Sequence, residues 1–560
     1  MADDAVDVCI IGSGAAGSTM AYALGRAGLS VVILESGPRF DPARYPMNEL
    51  NWEVRPGAFD PSPEQRHQYV YGTGAAEPLD PRYDHLHSWS EAEGRYITSG
   101  RRTPPRVHRV RGVGGTTLHY QGEAHRFSPH GFQSHSQLGY AEDWPIRYDS
   151  LAPYYEEMER LLGVAGDHAN PFKASRGPFP NPPHALSCAS RHVKRGFDRM
   201  GLHLHPNSLA ILSRPYDGRM ACIYCNGCSM GCMTRAKSSV DVALIPKAEA
   251  SGRVAIRTGV AVHRLSTDSK GLIDGALYFD ERKVERRQAA RVFVVACGAL
   301  ETPRLLLNSS APMFTDGLGN RSGMVGRYFM ETLYHTTTGL FREPLHSYEG
   351  LQIDSRAWDW NASSSTRGFA GGVVLGVSAS GLLGPLTYAR AVASGWGKRH
   401  KDFMRAYFGH AITVFANGEH LPHQDNRVDL DPVKRDGHGV PVARITTALR
   451  RNDLEMLAFM KTQCRAVLKA AGAERIIGEE SAYDISSITH MGGTCRMGDD
   501  PSRSVVDRYG RSHDVRNLYI VDSSSFVTQG GGDSPSLTIQ ALALHAAEHL
   551  IKYGNAGSHS

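Results

Sequence analysis

Residues 6–35 read VDVCIIGSGAAGSTMAYALGRAGLSVVILE, and this stretch decides the fold. An apolar, β-rich run leads into a glycine-rich turn, a small-residue helix pattern follows, and a second apolar run ends in an acid. Gly12, Gly14 and Gly17 hold the G-x-G-x-x-G spacing directly after the first predicted strand and at the start of the helix. Glu35 stands at the end of the second strand, about 20 residues further on. Each part has a physical task. Gly12 allows the tight turn, Gly14 lets a pyrophosphate approach the backbone, and Gly17 lets the helix pack closely on the sheet. The helix N-terminus directs partial positive charge toward the phosphates, and Glu35 can accept hydrogen bonds from a ribose diol. Both strands, the helix and the acid in register point to a bound dinucleotide.

At 560 residues the chain exceeds one simple core, and two domains are expected. A formal charge of +5 is small for that length. The densest basic patch, Lys398-Arg399-His400-Lys401, reads as solvated surface, so no nucleic-acid partner is expected. No apolar run is long enough to span a bilayer, and no signal-peptide pattern precedes the first strand. The chain as given is expected to be soluble and cytoplasmic. Of nine cysteines, four crowd between Cys222 and Cys232, which argues for a local cluster and against a disulfide framework.

Beyond Glu35 the periodicity fades. Gly37 to Pro105 reads as irregular loops covering a cofactor. A second glycine-rich turn follows at Arg109–Tyr120. A helix after Trp144 has Asp149 or Ser150 as candidate cap. Arg253–Leu265 and Gly275–Asp280 alternate as strands and suggest a small meander. Arg291–Ala296 reads as a buried parallel strand running into a turn and helix at Cys297–Leu307. From about 330 to 485 the pattern changes to alternating strands, such as Asn426–Asp431, with one clear helix over Asp453–Ala471. Leu518–Asp522 is a short buried strand, Ser536–Tyr553 a long amphipathic helix, and the last seven residues read as disordered.

The expected class is α/β, α+β overall. One discontinuous Rossmann-like domain is assembled from 1–155, 215–330 and 486–560. A substrate domain with a largely antiparallel sheet and helices takes 156–214 and 331–485.

Several ordered motifs together resemble the glucose-methanol-choline (GMC) oxidoreductases, FAD enzymes that oxidise alcohols. They are the N-terminal glycine motif, Gly112-Val-Gly-Gly-Thr-Thr117, Gly298-Ala-Leu-Glu-Thr-Pro-Arg-Leu-Leu, His490-Met-Gly-Gly-Thr-Cys-Arg-Met-Gly498, and Asn517–Ser525 with Pro535-Ser-Leu-Thr-Ile. The resemblance spans nearly the whole length, and its flavour is closest to the sugar and gluconate dehydrogenase branch. It implies FAD contacts at Gly114, Gly115, Thr116, Asp522, Leu537 and Thr538. It places the family's first catalytic histidine at His490, suited to be the base because its ordinary pKa lies near neutrality; the alternative is a structural histidine bonded to a loop carbonyl. The second catalytic position, His or Asn in the family, is Ser534 here, with Asp533 beside it. Either Ser534 or Asp533 touches the substrate, or Asp533 is a buried acceptor or helix cap. His119 matches the spacing of relatives with covalently bound flavin; it is either joined to FAD or hydrogen-bonded near it.

Cys222, Cys225, Cys228 and Cys232 have the C-x₂-C-x₂-C-x₃-C spacing of ferredoxin-type iron–sulfur sites, with Met233 in place of the usual proline. Three of them could hold a [3Fe–4S] cluster or all four a [4Fe–4S] cluster. Zinc, a metal-free packed loop and disulfides are the alternatives.

The expected function is FAD-dependent oxidation of an alcohol group on a sugar, glycoside or other polyhydroxylated substrate. Electrons would pass to an acceptor such as a cytochrome subunit, through the cysteine loop if it carries a cluster. As in relatives, a small signal-bearing subunit could carry the chain to the periplasm. The rival readings are an oxygen-using oxidase that makes hydrogen peroxide and an electron-transfer flavoprotein subunit with no turnover of its own.

Overall fold

A computed structural model describes residues 5–44, 106–173, 177–380, 382, 384–393, 395–483 and 487–553, with the strand segments 68–70, 87–89, 93–98 and 101–103. Much of the loop region expected over Gly37–Pro105, and all of the last seven residues, lie outside the described residues.

The opening stretch forms its expected unit: strand Val6–Ile11, helix Ala15–Arg26 and strand Val31–Leu34. The two strands pair in parallel and sit inside a five-stranded sheet. Its order is Leu518–Ile520, Ala290–Val295, Val6–Ile11, Val31–Leu34, Val254–Arg257, and every pairing is parallel. The strands are apolar runs because both faces are covered. Helix Ala15–Arg26 packs on Ser536–Tyr553, which packs in turn on Tyr148–Leu162.

Two local expectations change. Arg253–Leu265 is two strands rather than one: Val254–Arg257 closes the edge of the parallel sheet, and only Ala261–Thr267 joins Ile273–Phe279 and Glu285–Gln288 in the meander. Gly259, in a left-handed conformation, lies in the turn between them. The helix after Trp144 begins at Tyr148 with Arg147 in the cap position, so Asp149 lies in its first turn. There its charge still favours the helix dipole.

The second layer is a six-stranded sheet in the order Arg475–Ser481, Thr332–Leu340, Ala411–Glu419, Val373–Ser378, Ser355–Trp360, His205–Pro206, with every pairing antiparallel. Its two faces differ. Helix Arg451–Ala471 packs across Thr332–Leu340 and Ala411–Glu419, and Met456, Met460, Val467 and Leu468 meet Leu333, Leu375, Val377 and Val414 in one apolar core. The other face looks toward the glycine turns.

Candidate active site

A cavity of about 750 Å³ runs between the parallel sheet and the free face of the six-stranded sheet. One end is the glycine cradle: Gly12, Gly14, Ala15 and Glu35 from the opening unit, Gly115 and Thr116 from the second glycine turn, and Gly298 from the third. The glycines serve different constraints. Gly12 has φ +95°, and a Cβ there would stand 2.7 Å from the carbonyl oxygen of Ala296. A Cβ on Gly17 would lie 1.9 Å from the Gly12 carbonyl oxygen, so this glycine sets helix-to-turn packing and does not line the cavity. A Cβ on Gly14 would meet nothing within 4 Å, so its backbone is open on that side. Gly115, at φ +53°, brings the second turn onto the first: its Cβ would be 2.9 Å from Gly14 Cα.

The acids of this end are already engaged. Glu35 accepts from the Ser13 amide and hydroxyl at 3.0 and 2.7 Å and from the Gly37 amide at 2.9 Å. Asp522 accepts from the Gly298 amide at 2.9 Å, the Thr302 hydroxyl at 2.6 Å and the Ser524 amide at 2.8 Å. It thus ties the carboxyl end of one parallel strand to the helix that leaves its neighbour. Both acids line the cavity. Gly114, Leu537 and Thr538 do not. Leu537 is buried, and Thr538 is hydrogen-bonded to the Tyr155 hydroxyl at 2.7 Å, while Pro535, Ser536 and Ile539 face the cavity instead. The helical turn rotates the Leu-Thr pair away.

The opposite wall carries hydroxyls. Tyr334, Thr336 and Thr338 alternate along one strand and stand in register with Asn417, Phe415 and Thr413 of the next, and Thr413 with Ser378 of a third. All seven line the cavity. Thr338 and Thr413 share a hydrogen bond of 2.9 Å across the strands.

The polar centre lies where this wall meets Ser534. Glu123 and Arg356 form a bidentate pair, Nε to Oε1 and Nη2 to Oε2, each 2.7 Å. Asn207 donates to Glu123 Oε1 at 2.8 Å, and the Ser534 hydroxyl donates to Oε2 at 2.6 Å. Burial works to raise the Glu123 carboxyl, but the Arg356 guanidinium and His125 hold it well below the usual carboxylate range. Arg356 is 1% exposed and stacks over the Phe415 ring, 4.3 Å from its centroid. Behind this pair, Asp533 accepts from Trp358 Nε1 at 2.9 Å and meets Lys173 Nζ at 2.5 Å. Asp533 does not line the cavity and is buried at 1% exposure.

His490 lines the cavity on the side of Thr332. Its Nδ1 is 3.3 Å from the Thr332 hydroxyl, and its carbonyl oxygen accepts from Gln529 Nε2 at 2.8 Å. Burial pushes its pKa down to about 4, with Glu123 partly opposing and Arg356 and His125 adding to the fall. At neutral pH the imidazole is therefore uncharged and has a lone pair to offer.

His119 ends the short helical turn Gly115–Leu118, is 1% exposed and lines the cavity. The cysteine loop lies directly behind it. Lys237, buried at 1%, donates to the carbonyls of Leu118 at 2.8 Å, Tyr120 at 3.0 Å and Cys228 at 2.6 Å. Cys222, Cys228 and Cys232 are free thiols; Cys228 is buried, Cys222 and Cys232 are partly buried, and Cys225 is exposed. Backbone amides donate to two of the sulfurs, Tyr224 to Cys222 at 3.3 Å and Lys237 to Cys232 at 3.4 Å. Among the described residues no three His, Cys, Asp or Glu side chains are gathered to hold a metal ion.

The structure thus brings Gly12, Gly14, Glu35, Gly115, Thr116, His119, Asp522, His490 and Ser534 to one cavity. Glu123, His125, Lys173 and Arg356 are additions that the motifs did not suggest. One signal was present: Glu123-Ala-His-Arg126 follows the second glycine turn closely; Arg356, in Asp354-Ser-Arg-Ala-Trp-Asp359, carries no motif.

Family models described as GMC oxidoreductase match residues 7–330 and 422–543. The 2-methyl-1,2-propanediol dehydrogenase of Mycolicibacterium austroafricanum is 32% identical, over 98% of this chain and 96% of that protein. The fructose dehydrogenase large subunit of Gluconobacter japonicus is 30% identical over 97% of each chain. The paromamine 6'-oxidase of Streptomyces fradiae is 33% identical, over 98% of this chain and 91% of its own. Among solved structures, pyridoxine 4-oxidase from Mesorbium loti superposes with a TM-score of 0.62 at 19% identity, over 97% of this chain and 99% of that one.

Proposed function

The chain belongs to the GMC oxidoreductases, enzymes that act on alcohol groups with FAD, and from that premise we propose that it oxidises a neutral, polyhydroxylated substrate with His490 as base. The observation that carries this reading is the single cavity. It joins an open glycine cradle, a neutral imidazole and a sheet face lined with hydroxyls.

The cradle fits a dinucleotide. Gly14 leaves space where a Cβ would otherwise stand, and the N-terminus of helix Ala15–Arg26 opens onto the same space. Gly12, Gly14, Gly115 and Thr116 would hold the pyrophosphate side, with Glu35 at the ribose, and His119 and Asp522 would lie along the rest of the cofactor. Bound there, FAD supplies the acceptor for a hydride. The chain's own residues do the remaining work. The hydroxyl wall of Tyr334, Thr336, Thr338, Thr413 and Asn417 binds the substrate's other hydroxyls and excludes bulk water. Thr332 accepts the Nδ1 proton of His490, which leaves Nε2 as the base for the hydroxyl proton. The alcohol thus loses two electrons and a proton as the hydride and a second proton to His490.

The histidyl–FAD bond is read by acid precipitation. Flavin that stays with the pellet marks attachment through His119, and flavin in the supernatant marks a non-covalent contact.

Reduced enzyme would pass its electrons to a partner rather than to oxygen. In support, the cysteine loop is pinned by Lys237 to the carbonyls on either side of His119. That one relative is the large subunit of its enzyme supports a multi-subunit assembly here too, with an electron-accepting cytochrome subunit and a small signal-bearing one. The thiols as placed do not form a ligand set for an iron–sulfur cluster, so no step is routed through one. The spacing remains its support, and iron and sulfide analysis of anaerobically purified protein tests it.

Anaerobic mixing with a panel of sugars, glycosides, polyols and apolar alcohols tests the substrate class. The polyhydroxylated members should bleach the flavin; bleaching by apolar alcohols alone would overturn the reading.

A further inference from the structure

The family's second catalytic position is a serine here, and its hydroxyl is spent on Glu123. That position then offers no spare side-chain donor to the reacting oxygen. Arg356 has the right unspent donor. Its Nε and Nη2 are fixed by Glu123, while Nη1 is buried and has no hydrogen-bond partner. The side chain lines the cavity that His490 lines. A buried, unsatisfied guanidinium N–H is costly, and a ligand oxygen would relieve it.

Two neighbours make the placement specific. Phe415 lies under the guanidinium plane, 4.3 Å from its carbon, and Gly376 leaves the room: a Cβ there would stand 2.8 Å from Arg356 Cδ and 2.7 Å from the Phe415 ring. The strand register sets Arg356 opposite Gly376 and Gly376 opposite Phe415, so the guanidinium is positioned by the sheet itself.

We propose that Arg356 Nη1 donates to the oxygen of the alcohol being oxidised, and that the Glu123–Arg356 pair replaces the family's second histidine or asparagine. This rests on the alcohol-oxidation reading above. As the hydroxyl proton leaves to His490, negative charge gathers on that oxygen, and a fixed N–H donor stabilises it more than the neutral alcohol. The pair also selects its ligand. With the guanidinium charge matched by Glu123, the site offers one directed N–H and little net charge, which suits a neutral hydroxyl or the carbonyl product rather than a carboxylate.

The test is anaerobic stopped-flow reduction of the bound flavin at saturating alcohol, expressed per flavin. Removing one such donor typically costs about 10²–10³ in rate. Arg356→Lys, which keeps a cation beside Glu123 but moves the donor, should lose about that factor while retaining FAD, with a much smaller change in KM. Arg356→Ala should be slower still and regain rate on addition of guanidinium ion. The wild-type flavin should be reduced by neutral polyols in preference to the corresponding aldonates, a comparison that needs no variant to fold. Arg356→Lys reducing its flavin at the wild-type rate, or aldonates outrunning neutral polyols, would overturn the proposal. If no alcohol reduces the wild-type flavin, it is the alcohol-oxidation reading that fails.

Discussion

The Ser534 hydroxyl donates to Glu123 Oε2 at 2.6 Å, so the residue proposed for the family's second catalytic position serves a carboxylate that is itself clamped by Arg356. Ser534 is therefore one member of the buried Glu123–Arg356 network. Removing the hydroxyl should weaken the clamp without destroying it. A hydrogen bond to a charged group is worth roughly 1.5–3 kcal/mol. Ser534→Ala should slow flavin reduction by about tenfold, well short of the loss expected at His490, and thermal unfolding should show a lowered midpoint.

Gly376→Ala tests whether the sheet positions Arg356. The added methyl cannot coexist with Arg356 Cδ and the Phe415 ring where they now stand. The variant should bind FAD normally, since Gly376 is remote in sequence and sheet from the glycine cradle, yet reduce it more slowly. An unchanged reduction rate would show that Arg356 tolerates displacement.

Lys173→Met leaves Asp533 buried without its cation. Breaking a buried pair from one side typically costs about 3–5 kcal/mol, and a lowered unfolding midpoint in denaturant would report it. Burial alone would raise the Asp533 carboxyl, but Lys173 and His125 hold it well below its usual range. Its contribution to stability is therefore full above the ordinary carboxylate range and lost as pH falls through the depressed folded value. The variant should lose that acid dependence as well.

Gly12→Ala should fail to hold the cofactor. Its φ of +95° is strained for any L residue, and the new methyl would press on the Ala296 carbonyl. The expected product is colourless protein or none, measured by the flavin-to-protein absorbance ratio.

The proposed role of His490 as base sets the pH dependence of flavin reduction. The base must be neutral, and burial holds its pKa near 4 rather than the ordinary value of about 6.5. The acid limb of the reduction rate should accordingly fall near pH 4. The same shift acts on stability with a defined sign. The unfolded chain takes up this proton first, so the stabilisation is full above about 6.5 and is lost as pH falls toward 4.

The sequence made the cofactor end legible because its constraints are local. Gly12, Gly14, Gly17 and Glu35 lie within one βαβ unit, where spacing alone implies geometry. His490 was legible through its motif. The Glu123–Arg356 pair was not: its members are 233 positions apart, and only the pairing of Ser355–Trp360 with Val373–Ser378 brings Arg356 to the cavity. Leu537 and Thr538 show the opposite limit of a motif. They belong to a recognisable motif, but the start of helix Ser536–Tyr553 turns them into the core.

If His490 takes the hydroxyl proton of a polyhydroxylated alcohol bound over the flavin, its loss must slow flavin reduction. Anaerobic stopped-flow comparison of wild type with His490→Ala measures it most directly, using the alcohol that bleaches the wild-type flavin fastest. Removing a general base typically costs on the order of 10²–10⁴ in rate. The account predicts a loss of that size with FAD still bound and its spectrum intact. His490→Ala protein that reduces its flavin at the wild-type rate would contradict it.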